Sequence, residues 1–194
     1  MTVKAGQKCT AIRRVIVPSN KIEDVQIALG KRLAKTTIGD PSAEGVRMGS
    51  LAGLEQREEV KDKILQLSKS QEIIYGDLSN FEVVGADKEK GAFLPPILFL
   101  NNDPFNKIDC HNLEAFGPVS TLMPYKGIEE AIELANMGKG NEETFIKLNL
   151  DFNVDFEQLI TMTLAAWRTG NTKALDEKLL ADARELDKKG FEQL

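Results

Sequence analysis

Histidine is almost missing from this chain: His111 stands alone among 194 residues. With one imidazole and no Cys-x-x-Cys pair, a metal site is not expected. Cysteine is nearly as scarce. Cys9 and Cys110 are the whole complement, and two isolated thiols fit a reducing cytoplasm better than a disulfide framework. Long apolar runs are lacking too. Ile97-Leu98-Phe99-Leu100 is typical of the longest, far below the roughly 20 residues that cross a bilayer. The first residues hold no apolar stretch of the kind a secretory leader needs, so none is expected. There is also no basic stripe. The 25 lysines and arginines are scattered among 30 acids, for a net charge of −5. Neither nucleic acid nor a membrane is expected as a partner.

What remains is ordinary for a soluble globular protein: 42% hydrophobic and 28% charged residues. The chain is long enough for a sizeable core. A short helical turn at Thr10 is expected to run into a strand over 11–17, stopped by Pro18. Ser19 or Asn20 then caps a helix carrying Ile22, Val25, Leu29 and Leu33, to about Lys35. Glycines 39, 45, 49 and 53 mark a long loop, without the lysine and strand–helix context of a phosphate loop. A second helix spans 54–68, with Val60, Ile64 and Leu67 inward. Strands follow at 72–76, weakly at 83–84, then at 93–100 and 119–124. Residues 103–112 read as loop. A helix covers 128–137, with Ile128, Ala131, Ile132 and Ala135 inward. Beyond the break at 138–141, residues 145–152 alternate like an edge strand. Helices are expected at 156–167 and from Thr172 to about Lys189, the first a core or docking face. The alternation predicts an α/β fold, a mostly parallel sheet flanked by helices, with a helical C-terminal extension.

Four segments carry more than fold. They are Gly6-Gln7-Lys8-Cys9-Thr10; Ile38-Gly39-Asp40-Pro41 with Arg47-Met48-Gly49-Ser50-Leu51; Gly91-Ala92-Phe93-Leu94-Pro95-Pro96; and Glu114-Ala115-Phe116-Gly117-Pro118. Together, in this order, they resemble the catalytic domain of aldehyde dehydrogenases. The texture of 4–14 and 111–125 is most similar to the bifunctional ring-opening branch of phenylacetate degradation, which oxidises a CoA-linked semialdehyde with NADP. The resemblance covers 1–140, read as a partial catalytic domain. Residues 141–194 do not resemble the family's continuation and read as an unrelated strand-plus-helices extension.

The resemblance implies Cys9 as the nucleophile, its own N–H forming half of an oxyanion hole. It implies Glu114 as acceptor for the hydroxyls of the nicotinamide ribose, and Phe116 as a wall for the ring of NADP or NAD. Gly6 is expected to permit close backbone approach, and a turn after Cys9 would aim N–H groups at the site. The family's general base, its second oxyanion donor and its cofactor-binding domain would all precede Met1. The chain alone is therefore expected to be inactive. Its partners are expected to be a small-molecule aldehyde and a complementing chain or second copy. The blander readings stay open: Cys9 as a small buried hydrophobe, Glu114 as a solvated loop carboxylate, and Cys110 as a structural thiol. His111 is a loop or surface residue, or a proton shuttle. The whole chain is alternatively a non-catalytic interaction protein or a truncated product built on the same fold.

Overall fold

The computed structural model describes residues 1–9 and 11–138, and the backbone of 144–146. The readings made for 141–143 and 147–194 lie outside the described residues. Strand β1 is Arg14–Pro18, followed by a 3-10 turn over Ser19–Lys21 and helix α1, Ile22–Leu33. Helix α2 is Leu54–Leu67, β2 is Glu72–Tyr75 and β3 is Ile97–Leu100. The one-turn helix α3 is Asp109–Asn112, β4 is Val119–Tyr125, α4 is Ile128–Asn136 and β5 is Thr144–Ile146.

The sheet order is β2-β3-β4-β1-β5. Only the β2–β3 pair is antiparallel; β3–β4, β4–β1 and β1–β5 are parallel. The mostly parallel α/β sheet expected from the sequence is what forms. Every residue of β1 is buried, which is why, after Arg14, Val15 to Pro18 form a continuous apolar run and not an alternating one. Alternation survives in which face each residue meets. Val15, Val17, Leu98 and Leu122 pack beneath Leu33, with Ile22, Val25 and Leu29 of α1 beside them. Ile16, Ile97, Phe99 and Met123 pack against Val60, Ile64 and Leu67 of α2 and Ala131 and Leu134 of α4. Full burial of each such side chain stabilises by about 1.5–3 kcal/mol.

Several boundaries differ from the sequence reading. Pro95 and Pro96 keep 93–96 out of the ladder, since proline has no N–H to donate. Val84 makes only an isolated bridge to Gly39. Ser19 does not cap α1; its hydroxyl donates to the Tyr125 carbonyl at 2.8 Å, tying the end of β1 to the end of β4. Residues 109–112 form a helical turn and not plain loop. In α4 the innermost residues are Ala131 and Leu134, both 0% exposed. Leu134 was absent from the expected face.

Candidate active site

Cys9 lies just before β1, and Glu114–Pro118 lies just before β4. These strands are parallel neighbours, with Arg14 in register with Thr121. Both segments therefore emerge at the same end of the sheet. They also touch. Gly6 has φ +72°, and a Cβ on it would lie 1.9 Å from the Gly117 carbonyl oxygen. Only a glycine lets these two backbones meet. The approach expected of Gly6 is thus to the Glu114 segment. Gly117 is itself pressed on α2, where a Cβ would come within 2.7 Å of Val60 Cγ1.

The turn before Cys9 is unusual. Val3–Gly6 form a 3-10 turn in which Lys4 and Ala5 have φ of 50° and 51°. Left-handed backbone costs a non-glycine residue roughly 1–2 kcal/mol. Burial of Ala5 and the Gly6–Gly117 contact hold it. Gln7 adds a clamp: its Oε1 accepts the Ala52 N–H at 2.8 Å, binding the cysteine loop to the lead-in of α2. The described residues directly after Cys9 form no helix. Ala11 N–H donates to the Lys8 carbonyl at 2.9 Å, closing a turn, and 11–13 then run without helix into β1. The turn lies before the cysteine, so no helix N-terminus acts on the thiol from 11–13.

Cys9 is exposed and its thiol is free. The reading of Cys9 as a buried hydrophobe does not hold. Among the described residues no carbonyl accepts the Cys9 N–H. Glu114 pairs with Arg13, with Nη2 2.5 Å from Oε1. The Phe116 side chain is part-exposed at 39%, and its carbonyl accepts from Gln56 Nε2 at 3.3 Å. A crevice of about 20 Å3, room for roughly one water, runs beneath this loop, between Arg13, Cys110, Phe116, Gly117 and Thr121. Cys9 does not line it.

Cys110 and His111 face inward. Cys110 Sγ accepts from Asn101 Nδ2 at 3.3 Å, and burial pushes its thiol pKa up. His111 is 2% exposed, neither a surface residue nor open to a substrate. Its Nδ1 lies 3.1 Å from Arg14 Nη1 and its Nε2 2.8 Å from the Pro104 carbonyl. These contacts suit a neutral ring with the proton on Nε2. Burial lowers its pKa first of all, and the Arg14 charge works in the same direction. Arg14, 2% exposed, also donates to the carbonyls of Leu134 and Ala135 at 2.7 and 3.1 Å, closing the end of α4. The sequence reading missed Arg13 and Arg14 as partners. Its available signal was two arginines at the mouth of a buried strand, because a buried charge needs partners.

The paired segments have counterparts in known proteins. The aldehyde dehydrogenase family model matches residues 1–141. The 3,4-dehydroadipyl-CoA semialdehyde dehydrogenase of Aromatoleum evansii is 36% identical over 141 residues, 73% of this chain and 27% of that protein. Among solved structures, aldehyde dehydrogenase C of Pseudomonas syringae, bound to NAD+ and octanal, is 29% identical with a TM-score of 0.59, over 69% of this chain and 26% of that one. Betaine aldehyde dehydrogenase of Staphylococcus aureus, bound to NAD+, gives 27% and 0.60 over the same shares. The chain thus spans about a quarter of the length of these relatives. A sheet with these two segments meeting at one end, matched over nearly all of its described length, leaves one assignment: the chain belongs to the aldehyde dehydrogenase family.

Proposed function

We propose that this chain is the cysteine-bearing part of an NAD(P)-dependent aldehyde dehydrogenase, with Cys9 as nucleophile. The CoA-linked semialdehyde named for the Aromatoleum relative is the proposed substrate class. The observation that carries the reading is the Gly6–Gly117 contact, which gathers the Cys9 and Glu114–Phe116 segments at one end of adjacent strands.

In this reading the Cys9 thiolate attacks the aldehyde carbon. A C–S bond forms, and the carbonyl π electrons move to oxygen. The Cys9 N–H, which no carbonyl accepts among the described residues, is one donor for that oxygen. When bound, a nicotinamide dinucleotide would supply the hydride acceptor. The residues present fit the nicotinamide end of such a group. Glu114 offers an exposed carboxylate for ribose hydroxyls, and the half-open Phe116 ring offers a flat wall. After oxidation, water attacks the Cys9 thioester, the acid departs and the thiolate is restored. The carboxylate that activates this water, and the second oxyanion donor, are expected from outside these 194 residues. Two free cysteines fit a reducing compartment, in keeping with a cytoplasmic enzyme.

The test is the pH dependence of Cys9 alkylation by iodoacetamide, with and without NADP. Cys9→Ser isolates Cys110, whose burial makes it slow. A thiol that ionises well below the free value near 8.5, with a rate altered by NADP, supports the reading. A slow thiol indifferent to NADP defeats it.

A further inference from the structure

Arg13 has no role in the reaction just described, yet its geometry is specific. Its backbone is pinned to β4 at two points. Ser120 Oγ donates to the Ile12 carbonyl at 2.5 Å, and Thr121 N–H donates to the Arg13 carbonyl at 2.7 Å. From this fixed base the side chain reaches the loop before β4. The guanidinium is largely covered, at 17% exposure, and Nη2 sits 2.5 Å from Glu114 Oε1. The Glu114 carboxylate is more open, at 39%. Its Oε2 has no protein partner among the described residues. One oxygen is therefore held by a fixed cation, and the other is left without a protein donor among the described residues.

An exposed ion pair contributes little to stability. Its consequence here is orientation. A carboxylate on a loop samples many rotations, whereas one with an oxygen held by a covered guanidinium samples fewer. A vicinal diol presents two hydroxyl donors, and an acceptor oxygen already aimed at them binds with less loss of freedom. Phe116 lies two residues beyond Glu114 on the same short loop, part-exposed like it, so carboxylate and ring are presented from one segment. We infer that Arg13 is a positioning residue: it holds Glu114 so that the second carboxylate oxygen receives the diol of a nicotinamide ribose. This rests on the proposed role of Glu114.

The experiment uses the full chain and two probes, nicotinamide mononucleotide and its 2′,3′-dideoxy analogue, with binding followed by saturation-transfer NMR. Wild type is expected to prefer the diol by about tenfold, as for one charge-assisted hydrogen bond. Arg13→Met and Arg13→Gln are each expected to lose most of that preference at unchanged melting temperature. Arg13→Lys, a point charge without the planar fork, is expected to keep only part of it. Glu114→Gln is expected to lose it too. If either neutral Arg13 variant keeps the full preference while Glu114→Gln loses it, Glu114 stands and the positioning role of Arg13 falls. If wild type binds the two probes equally, or binds neither, the assignment of Glu114 falls and the inference with it.

Discussion

At the scale of single residues, two contacts near the candidate site make testable demands on stability. The first is Gly6 on Gly117. Alanine at 6 would need a positive φ and would drive its Cβ into a carbonyl oxygen at 1.9 Å. Backbone, unlike a side-chain tip, cannot swing away. Gly6→Ala is expected to destabilise by about 3 kcal/mol, the sum of left-handed strain and displacement of the loop. Gly127→Ala is the control: φ is −136°, and its Cβ would meet nothing within 4 Å. It should cost less than about 1 kcal/mol, since alanine is only a poorer helix cap than glycine. Chemical denaturation of the two variants checks the ordering. The second contact is His111 on Arg14. Because the folded-state pKa of His111 is lowered by burial, both states are neutral at this residue well above its unfolded value near 6.5. As pH falls through that value, the unfolded chain takes up a proton that the folded one resists, so stability drops. With a single histidine, His111→Gln should remove this slope between about pH 6.5 and 5. Melting curves across that window decide it. An equal slope in both proteins would refute the neutral assignment.

At the scale of elements, sequence and structure agree where one face is buried and the other wet. The α2 stripe Val60, Ile64 and Leu67 was legible because charges fill the remaining positions. The same holds for α1, whose acidic first turn and basic last turn also complement its dipole. Helix α4 was read less well. Alanine is weakly hydrophobic, so Ala131 and Ala135 blurred the stripe, and the deepest residue, Leu134, was left out. Strand ends were hardest. Periodicity continued through 93–96, but two prolines cannot join a ladder. The left-handed turn at Lys4 and Ala5 had no sequence signal at all, since neither residue favours it. Helix α1 carries one correctable flaw, Gly30 in its interior. A methyl there would lie 3.8 Å from Tyr75 Cδ2, an ordinary contact. Gly30→Ala is expected to stabilise by about 0.5–1 kcal/mol by stiffening the unfolded chain. That corresponds to a rise in melting temperature of roughly 1–4 °C. A fall would mean that the Tyr75 contact is tighter than its geometry.

For the whole molecule, the site was legible as a set of motifs and not as an arrangement. Cys9, Glu114 and Phe116 could be named from their neighbours in sequence. That Cys9 and Glu114 lead into adjacent strands could not, because a parallel pairing across 107 residues leaves no local trace. Arg13 was harder still: the Arg13-Arg14 pair before a buried strand signals that partners are needed, but not which ones, because Glu114 is distant in sequence. The family membership now fixes what such a sheet is part of, and it sharpens the last expectation. The 194 residues span about a quarter of their relatives' length. Loss of a single oxyanion donor costs about 100- to 1,000-fold in rate, and hydride transfer needs a held dinucleotide. The chain on its own is therefore expected to reduce neither NAD nor NADP with any aldehyde faster than its Cys9→Ala variant. Cys9 should nonetheless remain alkylatable, because its exposure and the Gly6–Gly117 contact lie within the described residues. Absorbance at 340 nm with a panel of aldehydes, run beside the alkylation assay, separates the two properties. Cysteine-dependent turnover by the isolated chain would show that these residues hold the dinucleotide and activate water unaided. A reactive thiol without turnover is the result expected if Cys9 is the nucleophile of an enzyme whose remaining parts lie outside these residues.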